Sequence, residues 1–117
     1  MSKCIILNDG NVKFKEYVNG NVRELLGFND SEILDHYIFG NDNETYTMFF
    51  KRVNDGKEII KIITNEEPPV SIYGKVLILN EDNKTGDFID INILNINKLK
   101  KHFETTNGIW ILTKKYI

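Results

Sequence analysis

The segment from Phe14 to Ile38, FKEYVNGNVRELLGFNDSEILDHYI, sets a strand, a short capped helix and a second helix one after another with almost no spacer. In Phe14-Lys15-Glu16-Tyr17-Val18 the apolar Phe14 and Val18 alternate with charged residues, Tyr17 excepted, which is the period of a half-buried strand. Asn19-Gly20-Asn21 interrupts it. Asn21 is placed to cap the next turn through its side-chain oxygen. Val22, Leu25 and Leu26 fall at helical spacing, and Gly27 suits the left-handed conformation that ends a helix. Asn29-Asp30-Ser31 offers a second cap ahead of Glu32, and Ile33, Leu34 and Tyr37 give the following segment an apolar helical face.

The remainder reads as mixed α and β. Met1 to Asn8 forms a first strand, Asp9-Gly10-Asn11 a tight turn and Val12 to Val18 a second strand, which makes an opening hairpin. Asn41 with Glu44 three residues later forms a capping box ahead of Tyr46, Phe49, Phe50 and Val53 at helical spacing, so a third helix is predicted over Asn43 to Val53. Asp55-Gly56 stops it. Strands follow at Glu58 to Thr64, Val70 to Leu79 and Phe88 to Ile96, separated by Pro68-Pro69 and by the turn Asn80 to Gly86. Gly74, inside the second of these, marks a bulge or a close approach. Ile89, Ile91 and Ile93 alternate with Asp90 and Asn92, as in a strand with one solvated face. Strands joined by short turns are most often antiparallel neighbours, giving an α+β order β-β-α-α-α-β-β-β.

Tyr17-Val18-Asn19-Gly20-Asn21-Val22, Leu25-Leu26-Gly27-Phe28 and Ser31-Glu32-Ile33-Leu34 resemble the opening of a PAS domain, a small sensory and protein-interaction module. Over residues 3 to 104 the element order is similar to that family, which implies a five-stranded antiparallel sheet with short helices on one face. Asn95-Ile96-Asn97-Lys98-Leu99-Lys100-Lys101 resembles the family's exit into a charged helix but lacks its acidic residue. The domain is expected over residues 1–104, followed by a strand extension over 105–117. That extension, with Trp110, Leu112, Lys114 and Lys115, reads in two ways. It is an added edge strand whose lysines discourage aggregation, or a strand that pairs with a partner chain. Removing Ile109 to Ile117 is expected to leave a ligand-sensing core folded.

Composition bounds the function classes. The 117 residues suit one domain, and 41% apolar with 27% charged residues and a net charge of −2 call for neither disorder nor a polyanionic partner. Nucleic-acid binding by Lys98, Lys100, Lys101, Lys114 and Lys115 is therefore disfavoured. No apolar run reaches the ~20 residues of a membrane span and no signal-peptide pattern opens the chain, so a cytoplasmic protein is expected. The Met1 start and the closing strand favour a chain not cut from the middle of a longer one. Ala and Gln are absent while Ile, Asn and Lys abound, the codon bias of an AT-rich, expectedly bacterial, genome. Cys4, the sole cysteine, excludes an intrachain disulfide and reads as a small buried hydrophobe beside Ile5-Ile6-Leu7.

Catalytic chemistry finds little support. His36 and His102 are the only histidines, and neither lies in a motif that gathers a nucleophile, base or metal ligands. Asp30, Asp35 and Asp42 are spaced as caps and surface charges, and the glycines fall one per turn and form no phosphate cradle. The resemblance allows cofactors to be checked. The flavin-binding members carry a reactive cysteine in a run that here reads Asn21-Val22-Arg23-Glu24, which excludes that photochemistry. Haem is disfavoured too, because Asn43 to Val53 holds no histidine. No cofactor and no metal are expected.

The predicted helix should set Tyr46, Phe49, Phe50 and Val53 against Ile60, Ile62, Tyr73 and Ile91, around an interior that is either a pocket for a small molecule or a filled core. The expected function is a non-enzymatic sensory or interaction module of signal transduction, self-associating or binding another protein. The alternative is a free-standing small protein, encoded for example by a mobile element, that blocks a partner through its sheet edge and terminal strand.

Overall fold

The computed structural model is built mostly from strands. It describes residues 2–8, 11–17, 22–27, 33–40, 45–51, 56–64, 68–82, 84–89, 91 and 93–114. In chain order these form β1 (Ser2–Asn8), β2 (Asn11–Tyr17), α1 (Val22–Leu26), β3 (Leu34–Gly40), β4 (Thr45–Lys51), β5 (Glu58–Thr64), β6 (Val70–Tyr73), β7 (Lys75–Glu81), β8 (Phe88–Ile89), α2 (Ile93–Lys100), β9 (Phe103–Thr106) and β10 (Ile109–Lys114). Among them no helix is long and apolar enough to cross a membrane.

Two sheets share these strands. The first runs β2-β1-β7-β4-β3 with β8 on the far end of β7, and all its pairings are antiparallel. The second runs β6-β5-β10-β9, in which β10 is parallel to β5 and antiparallel to β9. Register sorts the side chains into faces. Ile5 lies opposite Ile78, Leu7 opposite Val76, Met48 opposite Ile78 and Phe50 opposite Val76. These join Ile59, Ile60, Ile62, Ile72, Ile91, Leu99 and Leu112 in a core between the sheets. Cys4, Ile6, Leu77 and Leu79 take the opposite face of the first sheet, where Val22 and Leu26 of α1 cover them. Cys4-Ile5-Ile6-Leu7 and Val76-Leu77-Ile78-Leu79 are unbroken apolar runs because both faces of β1 and β7 are covered.

Two local devices shape the second sheet. Glu58 faces Tyr73 while Ile60 faces Ile72, so Ile59 is the extra residue of a β-bulge. The bulge is why Ile59 and Ile60, adjacent in sequence, are both buried in the inter-sheet core. At Gly74 (φ 79°) the chain leaves β6 in one sheet and enters β7 in the other, and its N–H donates to the Lys57 carbonyl at 2.9 Å. A sheet corner of this kind needs a residue tolerant of positive φ.

The structure overturns the α+β reading: the described residues are mostly β, in two sheets with two short helices, in place of one PAS-like sheet with several helices across a face. The predicted helix at Asn43 to Val53 contains β4 instead; its Val53 lies outside the described residues. Tyr46, Met48 and Phe50 are buried on one face of β4 and Thr47 on the other, with Phe49 half-buried beside it, so no polar alternation marks the strand. The predicted second helix gives way to β3, where Tyr37 and Phe39 turn inward and Leu34 packs on the opposite face with the α1 cluster. The strand expected to reach Ile96 stops at Ile89, and α2 takes its place.

Other elements lie where the sequence placed them. β1 and β2 pair through Asn8 and Asn11, with Asp9-Gly10 outside the described residues. Gly27 (φ 73°) closes α1 by donating its N–H to the Glu24 carbonyl at 3.1 Å. Asp82 organises the β7–β8 turn, its carboxylate accepting from the Lys84 N–H at 2.8 Å.

Candidate functional site

Where β3 and β4 approach the end of α2 and the inner side of β10, the core does not close. A cleft of about 320 Å³ opens there, lined among the described residues by Tyr37, Ile38, Phe39, Gly40, Thr45, His102, Leu112 and Thr113. Each element brings a definite part. β3 supplies one wall, with Phe39 facing inward and Ile38 half exposed at the rim. Thr45, opposite Gly40, contributes a hydroxyl from the start of β4, and Leu112 and Thr113 come from β10.

His102 is held by the end of α2. Its backbone N–H donates to the Leu99 carbonyl at 3.1 Å, and Leu99 is fully buried, so the helix end is anchored in the core. The imidazole meets Phe39 edge-on at 5.7 Å and Tyr46 at 5.6 Å, ring centre to ring centre. Phe39 and Tyr46 stack at 5.3 Å with 24° between their planes. Phe103 meets Phe39 edge-on at 5.3 Å and continues to Trp110 at 5.2 Å. These separations fall in the range where aromatic pairs attract beyond their buried area. The result is a rigid aromatic wall with an imidazole, hydroxyls and the buried Tyr37 phenol beside it.

A second cavity of about 280 Å³ lies at the other end of this aromatic chain, lined by Val12, Lys100, Phe103, Thr105 and Trp110. Among the described residues no three His, Cys, Asp or Glu side chains gather as metal ligands would.

The residues expected to form a pocket are distributed differently. Tyr46, Phe50, Ile62 and Ile91 meet in the inter-sheet core, together with Ile60. Phe49 points to the opposite face of β4, 6.2 Å from the His36 ring. Tyr73 ends β6 opposite Glu58, half-buried, and Val53 lies outside the described residues. Of the residues expected to bind a partner, Trp110 packs on Phe103 and Leu112 is buried at the cleft floor. Lys114 ends β10 and Lys115 lies outside the described residues. β10 is paired on both sides, so it is neither an edge strand nor open to strand addition.

His102 and Phe39, which shape the cleft, carried no such role in the sequence. The available signal was the pair His102-Phe103 closing a lysine-rich helical turn, but its placement against β3 depends on a contact between segments more than sixty positions apart. Comparison with protein-family models, with curated proteins and with solved structures returned no match.

Proposed function

We propose that the protein is a non-enzymatic binding module whose cleft takes a small, flat, largely apolar molecule bearing one or two hydrogen-bonding groups. The observation that carries this reading is the opening of about 320 Å³ beside a stacked aromatic wall at the edge of the inter-sheet core. That size lies at the lower end of small-molecule sites, which pair apolar walls with a few placed polar groups. Phe39 supplies a ring face or edge, Leu112 an apolar floor, and His102, Thr45 and Thr113 the polar atoms that fix orientation. The described lining contains neither a carboxylate nor a thiol, which favours binding over catalysis.

The test is a fluorescence titration with the neutral apolar dye N-phenyl-1-naphthylamine, alongside native mass spectrometry of protein purified from cells. Saturable binding at one dye per chain is expected, weakened at least tenfold in Thr113→Phe, which enlarges a lining residue of the cleft. Thr113 is exposed, so that variant should fold. Binding unaffected by Thr113→Phe, or no saturable binding, overturns the proposal.

A further inference from the structure

We infer that the cavity lined by Val12, Lys100, Phe103, Thr105 and Trp110 is a separate site for a small aromatic carboxylate. The inference rests on its own lining and not on the first cleft. Val12, Phe103 and Trp110 are half-buried, and the rings of Phe103 and Trp110 stand at 55° to each other, forming a bent apolar wall able to hold a flat ring edge-to-face. At about 280 Å³ the space suits one or two fused rings.

Polarity at the rim is one-sided. Lys100 and Thr105 are exposed, and the described lining offers one positive charge, one hydroxyl and no negative charge. A lysine ammonium and a threonine hydroxyl in one lining can each donate a hydrogen bond to an oxygen of a carboxylate. A singly charged group is favoured over a phosphate because Lys100 is the one cation among the described lining residues. The first cleft has no Lys or Arg among its described lining residues, so the two sites select different chemistry.

The discriminating experiment is calorimetric titration with 2-naphthoate and with its neutral isostere 2-naphthamide. The acid is expected to bind about tenfold more tightly than the amide, the ratio that one charge-assisted hydrogen bond supplies. Lys100→Met should abolish that preference, while Lys84→Met, on the distant β7–β8 turn, and Thr113→Phe, at the first cleft, should preserve it. Each of these replaces an exposed side chain, so folding is not at stake. Equal affinity for acid and amide, no binding of either, a preference that survives Lys100→Met, or a preference lost in Thr113→Phe overturns the inference. The last outcome would move the ligand to the first cleft, whereas failure of the dye titration alone leaves this site standing.

Discussion

Replacing Leu112 by Ala tests whether the C-terminal strand is part of the core or an addition to it. Leu112 is 5% exposed, lies opposite Ile62 on β5 and Phe103 on β9, and belongs to the inter-sheet core. The change removes three carbons, worth about 0.8 kcal/mol each in lost transfer free energy, or about 2.4 kcal/mol. A residual cavity adds to this, but Leu112 also lines the cleft, so the new space joins one already open and the added cost is small. A loss of about 3 kcal/mol is expected, a large share of the ~5–15 kcal/mol that stabilises a domain. Urea denaturation followed by far-ultraviolet circular dichroism reads it directly. With a slope near 2 kcal/mol/M, typical of small proteins, the midpoint falls by about 1.5 M with the slope unchanged. Thr113→Ala, one residue along and exposed, should stay within about 0.5 kcal/mol of the parent. If both variants lose the same small amount, β10 does not serve as an interior strand and the packing argument fails.

Gly56→Ala should cost about 1–3 kcal/mol in the same assay, because Gly56 sits at φ 92° and a Cβ there would lie 3.4 Å from the Gly74 Cα; an unchanged midpoint would contradict that geometry. Cys4, with no exposure, should react with a thiol reagent at a rate that tracks unfolding, rising steeply only as urea approaches the midpoint; rapid reaction in native buffer would place it at the surface. Lys61→Ala, which removes a partly exposed pair to Glu58 at 4.0 Å, should change stability by less than about 0.5 kcal/mol. Deleting residues 109–117 should leave no cooperative transition at all, since β9 loses the strand it pairs with, β5 keeps only β6, and buried Leu112 leaves the core; a sharp thermal transition in the truncated chain would count against it.

What the sequence disclosed depended on how each strand is covered. Glu58 to Thr64 was legible because acidic, basic and Thr residues bracket its isoleucines, and β1 was legible from its unbroken apolar run. β4 was not, since Tyr46, Phe49 and Phe50 fall at helical spacing by coincidence when both faces are covered. Thr45, Tyr46, Thr47, Phe49 and Phe50 all favour strands, and that propensity was the better guide. α2 was hidden by the alternation of Ile89, Ile91 and Ile93, of which only Ile89 belongs to a strand. The cleft was illegible for a different reason. It exists where β3, β4, β10 and the end of α2 meet, and that meeting follows from the parallel pairing of β5 with β10, which no local pattern announces.

That pairing also orders events in time. Trp110 meets Ile60 across fifty positions of chain, so a large loop must close before the contact gains anything, and contacts of this separation slow folding. A chain emerging from the ribosome presents β5 long before β10 exists to flank it. Until then Ile60 and Ile62 stand in a strand with one unpaired edge, the condition that invites other chains to add themselves. Of the four strands of the second sheet, β10 is the last to be made and is therefore the one that seals it. Chains interrupted before residue 109 should collect in aggregates, not as a smaller soluble domain.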